Sequence, residues 1–368
     1  MIRLDRRILT HFDFFQIFLI VPIIAFSYIL ISEANEILAS KQSVYFGIGF
    51  ACFCLFFLLP IRRILWFIPA LYWINIVLLL SVEFFGISKL GAKRWLDIPF
   101  VHFTLQPSEI MKPAFLLMLA YLIKKNPPGE DGYSLKQFLH LSFYILLPFF
   151  LIAKEPDLGT ALILLLVGYA VLFVIGVNKK IWISIALAIG ICAPILYENL
   201  HDYQKKRIHD FLSEKPSYHV RQSIIAIGNG GLKGKSRDEA TQTHFKFLPI
   251  ATSDFIFAYT SERFGFYGAV GLLCFYGALI IHLLSLNYIL KNDYFAQVMT
   301  TGIATMIFIY VGVNISMTIG FAPVVGVPLP FFSYGGSSFV TFMVLFGMLQ
   351  NLLTFRYDFA GKFLKIQR

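Results

Sequence analysis

Charge is scarce in this chain. Asp, Glu, Lys and Arg make up 14% of its 368 residues, against about 25% in an ordinary soluble domain. A water-soluble core cannot hide the apolar surface this implies, so a soluble globular fold is excluded. Cysteine is scarce too. Cys52, Cys54, Cys192 and Cys274 all lie in apolar runs. Cys52 and Cys54 form a C-x-C pair with no further ligands close by, so they read as small apolar helix residues rather than a metal site. The N-terminal MIRLDRRILTHFDFF lacks a small-residue cleavage site after its apolar run and reads as a short tail, not a removable signal peptide. Alternation of apolar and polar residues is missing, which excludes a β-barrel. Neither an internal repeat nor a low-complexity linker divides the chain.

What is present is apolar length. Hydrophobic residues make up 58% of the chain and mean hydropathy is +0.72. The pattern predicts an all-α polytopic membrane protein, one transmembrane domain over 1–368, with ten spans. They are placed at 14–31, 44–60, 64–85, 108–123, 137–153, 158–177, 180–198, 256–288, 296–318 and 334–354. The eighth run is long enough to start with an interfacial segment. Basic residues follow alternate spans: Arg62 and Arg63, Lys124 and Lys125, Lys179 and Lys180, Lys291, and Arg356, Lys362, Lys365 and Arg368, with Arg3, Arg6 and Arg7 ahead of the first. A count of ten puts them all on one side, which makes both termini cytoplasmic.

The opposite side receives 32–43, 86–107, 154–157, 319–333 and one large loop, 199–255. That loop is basic, with nine Lys or Arg against six Asp or Glu. An anionic partner at the outer surface fits this, and so does attraction to lipid headgroups.

Several short motifs carry chemistry. Arg94, beside Trp95, can hold a phosphate. Pro107-Ser108-Glu109 is a helix start, and Glu109 and Lys112 share a face near the apolar zone, as a local ion pair or a functional one. Lys154, Glu155 and Asp157 crowd a tight hairpin, where Asp157 can cap the next helix; salt bridge and substrate clamp weigh equally. Ala226 to Ser236 suggests a P-loop, but Asn229 stands where that pattern needs glycine. Its glycine-rich turn with Lys233 and Lys235 can still cradle a diphosphate. Asp254 stands where apolar sequence resumes. Partial burial would raise its pKa toward that of a useful base, while Thr252-Ser253-Asp254 equally suits a helix cap. Gly326 to Ser338 is dense in Pro and Gly at membrane depth, either a cavity wall or a structural break.

Together these motifs resemble the SEDS family (shape, elongation, division and sporulation). The resemblance rests on Gly91-Ala92-Lys93-Arg94-Trp95-Leu96, Gln106-Pro107-Ser108-Glu109 and Lys154-Glu155-Pro156-Asp157-Leu158-Gly159-Thr160. It continues in Gln222 with Ala226 to Lys235, Asp254-Phe255-Ile256-Phe257-Ala258, and Pro328-Leu329-Pro330-Phe331 with Ser333 to Ser338. Arg94 to Asp97 and Tyr218 to Ser223 are more similar to its elongation branch (RodA-type) than to its division branch (FtsW-type). The resemblance implies a peptidoglycan glycosyltransferase that polymerises lipid II at the outer face of the bacterial inner membrane. Its essential aspartate matches Asp254. The resemblance also implies a class B penicillin-binding protein as partner, and hence the elongation machinery.

On this reading Asp254 is catalytic. Arg94, Glu109, Lys112, Lys154, Asp157, Arg221, Gln222, Lys233, Lys235, Gln242 and Glu262 are candidate substrate-binding residues. No cofactor is assigned; the diphosphate leaving group can be met with or without a divalent cation, Mg or Mn. The family pattern is broken at Ser253 (usually Thr), Pro249-Ile250 (usually Pro-Glu) and Glu262-Arg263 (usually Glu-Glu), so a paired carboxylate at 263 is absent. A lipid II flippase and a pure scaffold for the penicillin-binding protein are the alternatives; buried charge favours the first, and the second has no use for Asp254.

Overall fold

The structure, a computed structural model, describes residues 11–89, 92–98, 103–155, 157–198, 205, 217–240, 242, 248, 251–291 and 293–356. The tail residues Arg3, Arg6, Arg7, Lys362, Lys365 and Arg368, together with Gly91, Pro156, Pro249-Ile250 and most of 199–216 and 243–250, lie outside these.

The fold is an all-α membrane bundle. Its long helices are α1 (Phe14–Ala34), α2 (Glu36–Leu58), α3 (Ile68–Phe85), α4 (Pro107–Lys125), α5 (Leu135–Lys154), α6 (Leu158–Ile175), α7 (Lys179–Glu198), α8 (Tyr218–Gly230), α9 (Ile256–Ile289), α10 (Tyr294–Thr318) and α11 (Gly336–Thr354). All except the short α8 match one of the ten predicted spans. Eight are long and apolar enough to cross a bilayer by length and composition; α4, which carries Glu109, Lys112, Lys124 and Lys125, and α7 are the other two.

Burial separates the inside of the bundle from its perimeter. In α11, 72% of the most apolar window is buried, against 17% in α2. With α10 and the almost wholly buried α4, α11 forms the interior. The perimeter helices turn large side chains such as Phe18, Phe50, Phe173 and Ile281 outward. In water that surface would aggregate; in lipid it is the solvated face.

Two local departures from the sequence reading, and one break that it expected, have physical causes. The segment 32–43 is not a loop: Asn35 alone separates α1 from α2, and its Oδ1 accepts from the N–H groups of Ile37 and Leu38 at 2.9 and 3.2 Å. One good N-cap residue is enough to restart a helix there. The segment 86–107 contains a small antiparallel sheet, β1 (Ile87–Lys89), β2 (Ala92–Ile98) and β3 (Phe103–Leu105), in the order β1-β2-β3. The predicted interfacial start of the eighth run is a real break in α9. Gly265 adopts φ 65 and ψ −162, a conformation that favours glycine, so residues 256–264 form a helical piece, buried over 256–262, ahead of the true span.

Candidate active site

Asp254 occupies a turn just before α9. The N-cap of α9 is Phe255, and no side chain caps the helix. The capping role open at the sequence level is therefore not taken by Asp254, and its carboxylate is left for other work. The backbone of the turn is held from three directions. Asn314 Nδ2, on α10, donates to the Asp254 carbonyl at 2.9 Å and to the Val327 carbonyl at 2.7 Å. Ser333 Oγ donates to the Ser253 carbonyl at 2.7 Å. The Tyr334 N–H donates to the Thr252 carbonyl at 2.8 Å. Burial pushes the Asp254 carboxyl above the usual aspartate range, and a hydrogen bond with Ser253 pulls it back in part.

The wall opposite Asp254 is the irregular strap 320–335. A Cβ placed on Gly326 would stand 3.6 Å from Asp254 Oδ2. The strap carries the one described non-glycine residue with positive φ, Phe331 at 63°, packed on Phe339, Phe342 and Phe346. Ser27 Oγ and Tyr276 Oη donate to the carbonyls of Phe332 and Pro330, each at 2.5 Å. Irregular backbone inside a membrane bundle survives only when its polar groups are met in this way. A non-glycine left-handed residue held by such packing is typical of a functional wall.

The second half of the site adjoins the same strap. A Cβ on Gly159, in the first turn of α6, would come within 2.8 Å of the Val325 carbonyl, so the close approach depends on glycine. Asp157 caps α6 through the Thr160 N–H at 3.4 Å, and its other oxygen faces Ser108 Oγ at 3.4 Å and Gln106 Nε2 at 3.5 Å. Arg94, on β2, approaches Asp157 at 3.6 Å. One turn into α4, Lys112 Nζ donates to Glu109 at 2.5 Å and lies 5.2 Å from the centre of the Tyr310 ring. Tyr310 and Asn314 are four apart on α10 and so share a face. Thus α10 links the Glu109–Lys112 pair to the turn that carries Asp254.

Other candidates have different surroundings. Lys154 does not join Glu155 and Asp157; it pairs with Glu83 at 2.5 Å and is largely exposed. Glu262 is fully buried and accepts from Asn229 Nδ2 and the Gln242 N–H, both at 3.0 Å, so it clasps the loop. Lys235 Nζ donates to Asn229 at 2.5 Å. The glycine-rich turn reads as packing rather than a diphosphate cradle. Its Lys235 N–H donates to the Glu262 carbonyl, while its Gly231 carbonyl receives the Phe266 N–H. A Cβ on Gly230 would fall 1.9 Å from the Ser261 carbonyl. Arg221 and Lys233 are exposed and Gln222 half-buried, on α8 and the turn after it. The replaced acid, Arg263, clamps Glu33 of α1 through two bonds of 2.8 and 3.0 Å. Among the described residues no three His, Cys, Asp or Glu gather to hold a metal ion.

Sequence reasoning missed Asn314 and Tyr310. A lone Asn inside an apolar span was the available signal, since an amide in hydrocarbon needs a partner.

Known proteins resemble this chain in sequence and in fold. A family model for FtsW, RodA and SpoVE, described as cell cycle protein, matches residues 2–358. The peptidoglycan glycosyltransferase MrdB of Helicobacter pylori J99 is 55% identical over 358 residues, covering 97% of this chain and 94% of its own. The Escherichia coli K12 protein of the same name is 41% identical over 299 residues, 78% of each chain. A chain from a structure of a peptidoglycan synthase complex that coordinates polymerization and crosslinking superposes with TM-score 0.81 at 26% identity, over 94% of this chain and 99% of that one. The rod shape determining protein RodA of Thermus thermophilus gives TM-score 0.70 at 27% identity, over 94% and 98%.

Proposed function

The chain belongs to the FtsW/RodA/SpoVE (SEDS) family and is a peptidoglycan glycosyltransferase of cell elongation, in which, we propose, Asp254 is the general base. The observation that carries this is a buried carboxylate, free of capping duty, on a turn whose backbone is fixed by Asn314, Ser333 and Tyr334.

The substrate is lipid II. The acceptor 4-hydroxyl attacks the anomeric carbon of the donor sugar, and its proton passes to the Asp254 carboxylate. The new C–O bond forms as the bond to the lipid diphosphate breaks, and the diphosphate leaves with the electron pair. Transfer is inverting. Arg94 and the exposed Arg221 and Lys233 offer positive charge to the leaving group. Lys112 is neutralised by Glu109, so that buried pair holds α4 in place beside the strap. Asp157 orients Arg94. Lys235, Gln242 and Glu262 fix the loop. A divalent cation, Mg or Mn, would arrive with the diphosphate.

The catalytic end of the bundle faces outward from the bacterial inner membrane, with both termini in the cytoplasm. Arg62, Lys124 and Asp293 meet at the other end, where Arg62 pairs with Asp293 and Lys124 lies 5.8 Å from the Phe295 ring centre. A class B penicillin-binding protein of the elongation machinery is the expected transpeptidase partner. The likeness to a chain of a peptidoglycan synthase complex supports this.

The test is polymerisation of lipid II by purified protein, alone and with the partner. Wild type should yield glycan strands and Asp254→Asn none, with both proteins equally folded. Strands from the variant would overturn the assignment of the base.

A further inference from the structure

A second polar recess lies beside the first site, on the other face of β2. Successive strand residues point to opposite faces. Arg94 turns to Asp157, whereas Lys93 Nζ donates to the Glu83 carbonyl at 2.6 Å. On that side is a cavity of about 140 Å3 between the ends of α3 and α5. Leucines such as Leu79 and Leu151 form its wall, and Glu83, Lys93, Lys154 and Glu155 its polar part.

Glu155 is the unexplained member. It is 7% exposed, and neither carboxylate oxygen has a hydrogen-bond partner among the described residues. Buried acids are normally satisfied, so this one calls for a donor. We propose that the recess holds the headgroup of a zwitterionic phospholipid with a primary ammonium, its phosphate on Lys93 and Lys154 and its ammonium on Glu155 and Glu83.

Position, charge and size agree. Glu83 lies in the last turn of α3 and Lys154 ends α5, so the recess sits where hydrocarbon gives way to headgroups. Phe84, Phe85 and Phe150 are exposed nearby, where acyl chains would lie. Two lysines and two carboxylates complement a zwitterion. A diphosphate would face both carboxylates, and a choline headgroup has no N–H to give Glu155. At about 30 Å3 per water, the cavity holds roughly five waters, the room of a small polar headgroup and too little for a sugar-bearing one. Lys154 and Glu83 are exposed enough to exchange partners at little cost.

The experiment is native mass spectrometry of the full chain with phosphatidylethanolamine, phosphatidylcholine and phosphatidylglycerol of identical acyl chains. Wild type should retain the ethanolamine lipid about tenfold over the choline lipid, the worth of one charge-assisted hydrogen bond. Glu155→Gln should bring the two to near parity, and Lys93→Ala should weaken both. Asp254→Asn should keep the wild-type preference, which separates this recess from the catalytic assignment. Equal retention of all three lipids by wild type would mean that the cavity holds only water, and would overturn the proposal. So would displacement of the ethanolamine lipid by a polyprenyl diphosphate, which would assign the recess to the substrate's path. Wild-type selectivity alone decides the matter if a variant fails to fold.

Discussion

Two carboxyl groups near the strap are shifted for different reasons, and each has a measurable consequence. Asp254 is raised by burial and lowered by its bond with Ser253. A base works when ionised, so kcat/KM should rise with pH along a limb set above the ordinary aspartate value of about 3.9. Ser253→Ala removes a bond that favours the ionised form, so the limb should move to still higher pH. A limb that stays in place would separate the profile from Asp254. Asp254→Asn should lower polymerisation by at least about 100-fold, the low end for a lost general base. Glu155 is pushed up to about 8, first by burial, then by the charge of Asp157, with Arg94 opposing. Without a bound ammonium, the folded protein keeps a proton there that the unfolded chain releases near pH 4.5, and an ammonium seated beside Glu155 would favour its ionised form. Stability from this group is therefore full below pH 4.5 and lost as pH rises toward 8. In detergent without added lipid, Glu155→Gln should gain in Tm over wild type, and the gain should widen from pH 5 to pH 9. A constant gap would show that Glu155 is already ionised when folded. Asn314 acts on geometry instead. Asn314→Ala leaves two buried carbonyls without a donor, at about 1–3 kcal/mol each, and frees the turn that carries Asp254. Lower Tm with kcat reduced and KM little changed is the expected pattern.

Elements here are legible from sequence where one physical term dominates and obscure where two compete. Apolar length dominates in the spans, so ten helices stand close to where hydropathy puts them. The join at Asn35 was hidden because Glu36, Ser40, Lys41 and Gln42 look like a polar loop, although Asn35 and Glu36 are also a good helix start. The sheet over 87–105 was hidden because its strands are short and mixed in character. The strap was readable as irregular backbone at membrane depth from its prolines and glycines, as a wall or as a break, but its anchors Ser27, Tyr276 and Asn314 lie on three different helices, which no local pattern reveals. The glycine-rich turn shows the reverse case. Its composition matches a phosphate cradle, yet the glycines serve contact between backbones. Gly230→Ala should accordingly cost on the order of 3 kcal/mol, the upper range for overpacking, and loosen α8 from α9. Limited proteolysis should then cut the 231–240 turn faster. An unchanged rate would return these glycines to substrate binding.

At the scale of the molecule, the bundle separates two kinds of end. One collects Arg62, Arg63, Lys124, Lys125, Lys179, Lys180, Lys291 and Arg356 in short connections. The other carries the sheet, the Asp254 turn and the α8 loop. Sequence made this separation visible because alternate gaps between spans are basic, and an error of one span would scatter those residues over both faces. It did not show which charges at the second end work together, since Arg94, Asp157 and Asp254 come from distant segments brought together at the strap. The orientation has a direct test. In a background with Cys52, Cys54, Cys192 and Cys274 replaced by Ser, Lys233→Cys and Lys291→Cys place one thiol at each end. Lys233 is exposed on the turn after α8, and Lys291 lies just beyond α9. A membrane-impermeant maleimide should label the first in intact spheroplasts and the second only after permeabilisation. The reverse pattern would put the catalytic turn in the cytoplasm, where a polymerase of outer-face lipid II has no substrate. Labelling of both in intact cells would break the ten-span topology itself. The helices between these two positions make the outcome sensitive to their number: among the described residues α9 is the one long helix between Lys233 and Lys291, so opposite labelling requires that it cross the membrane once, kink included.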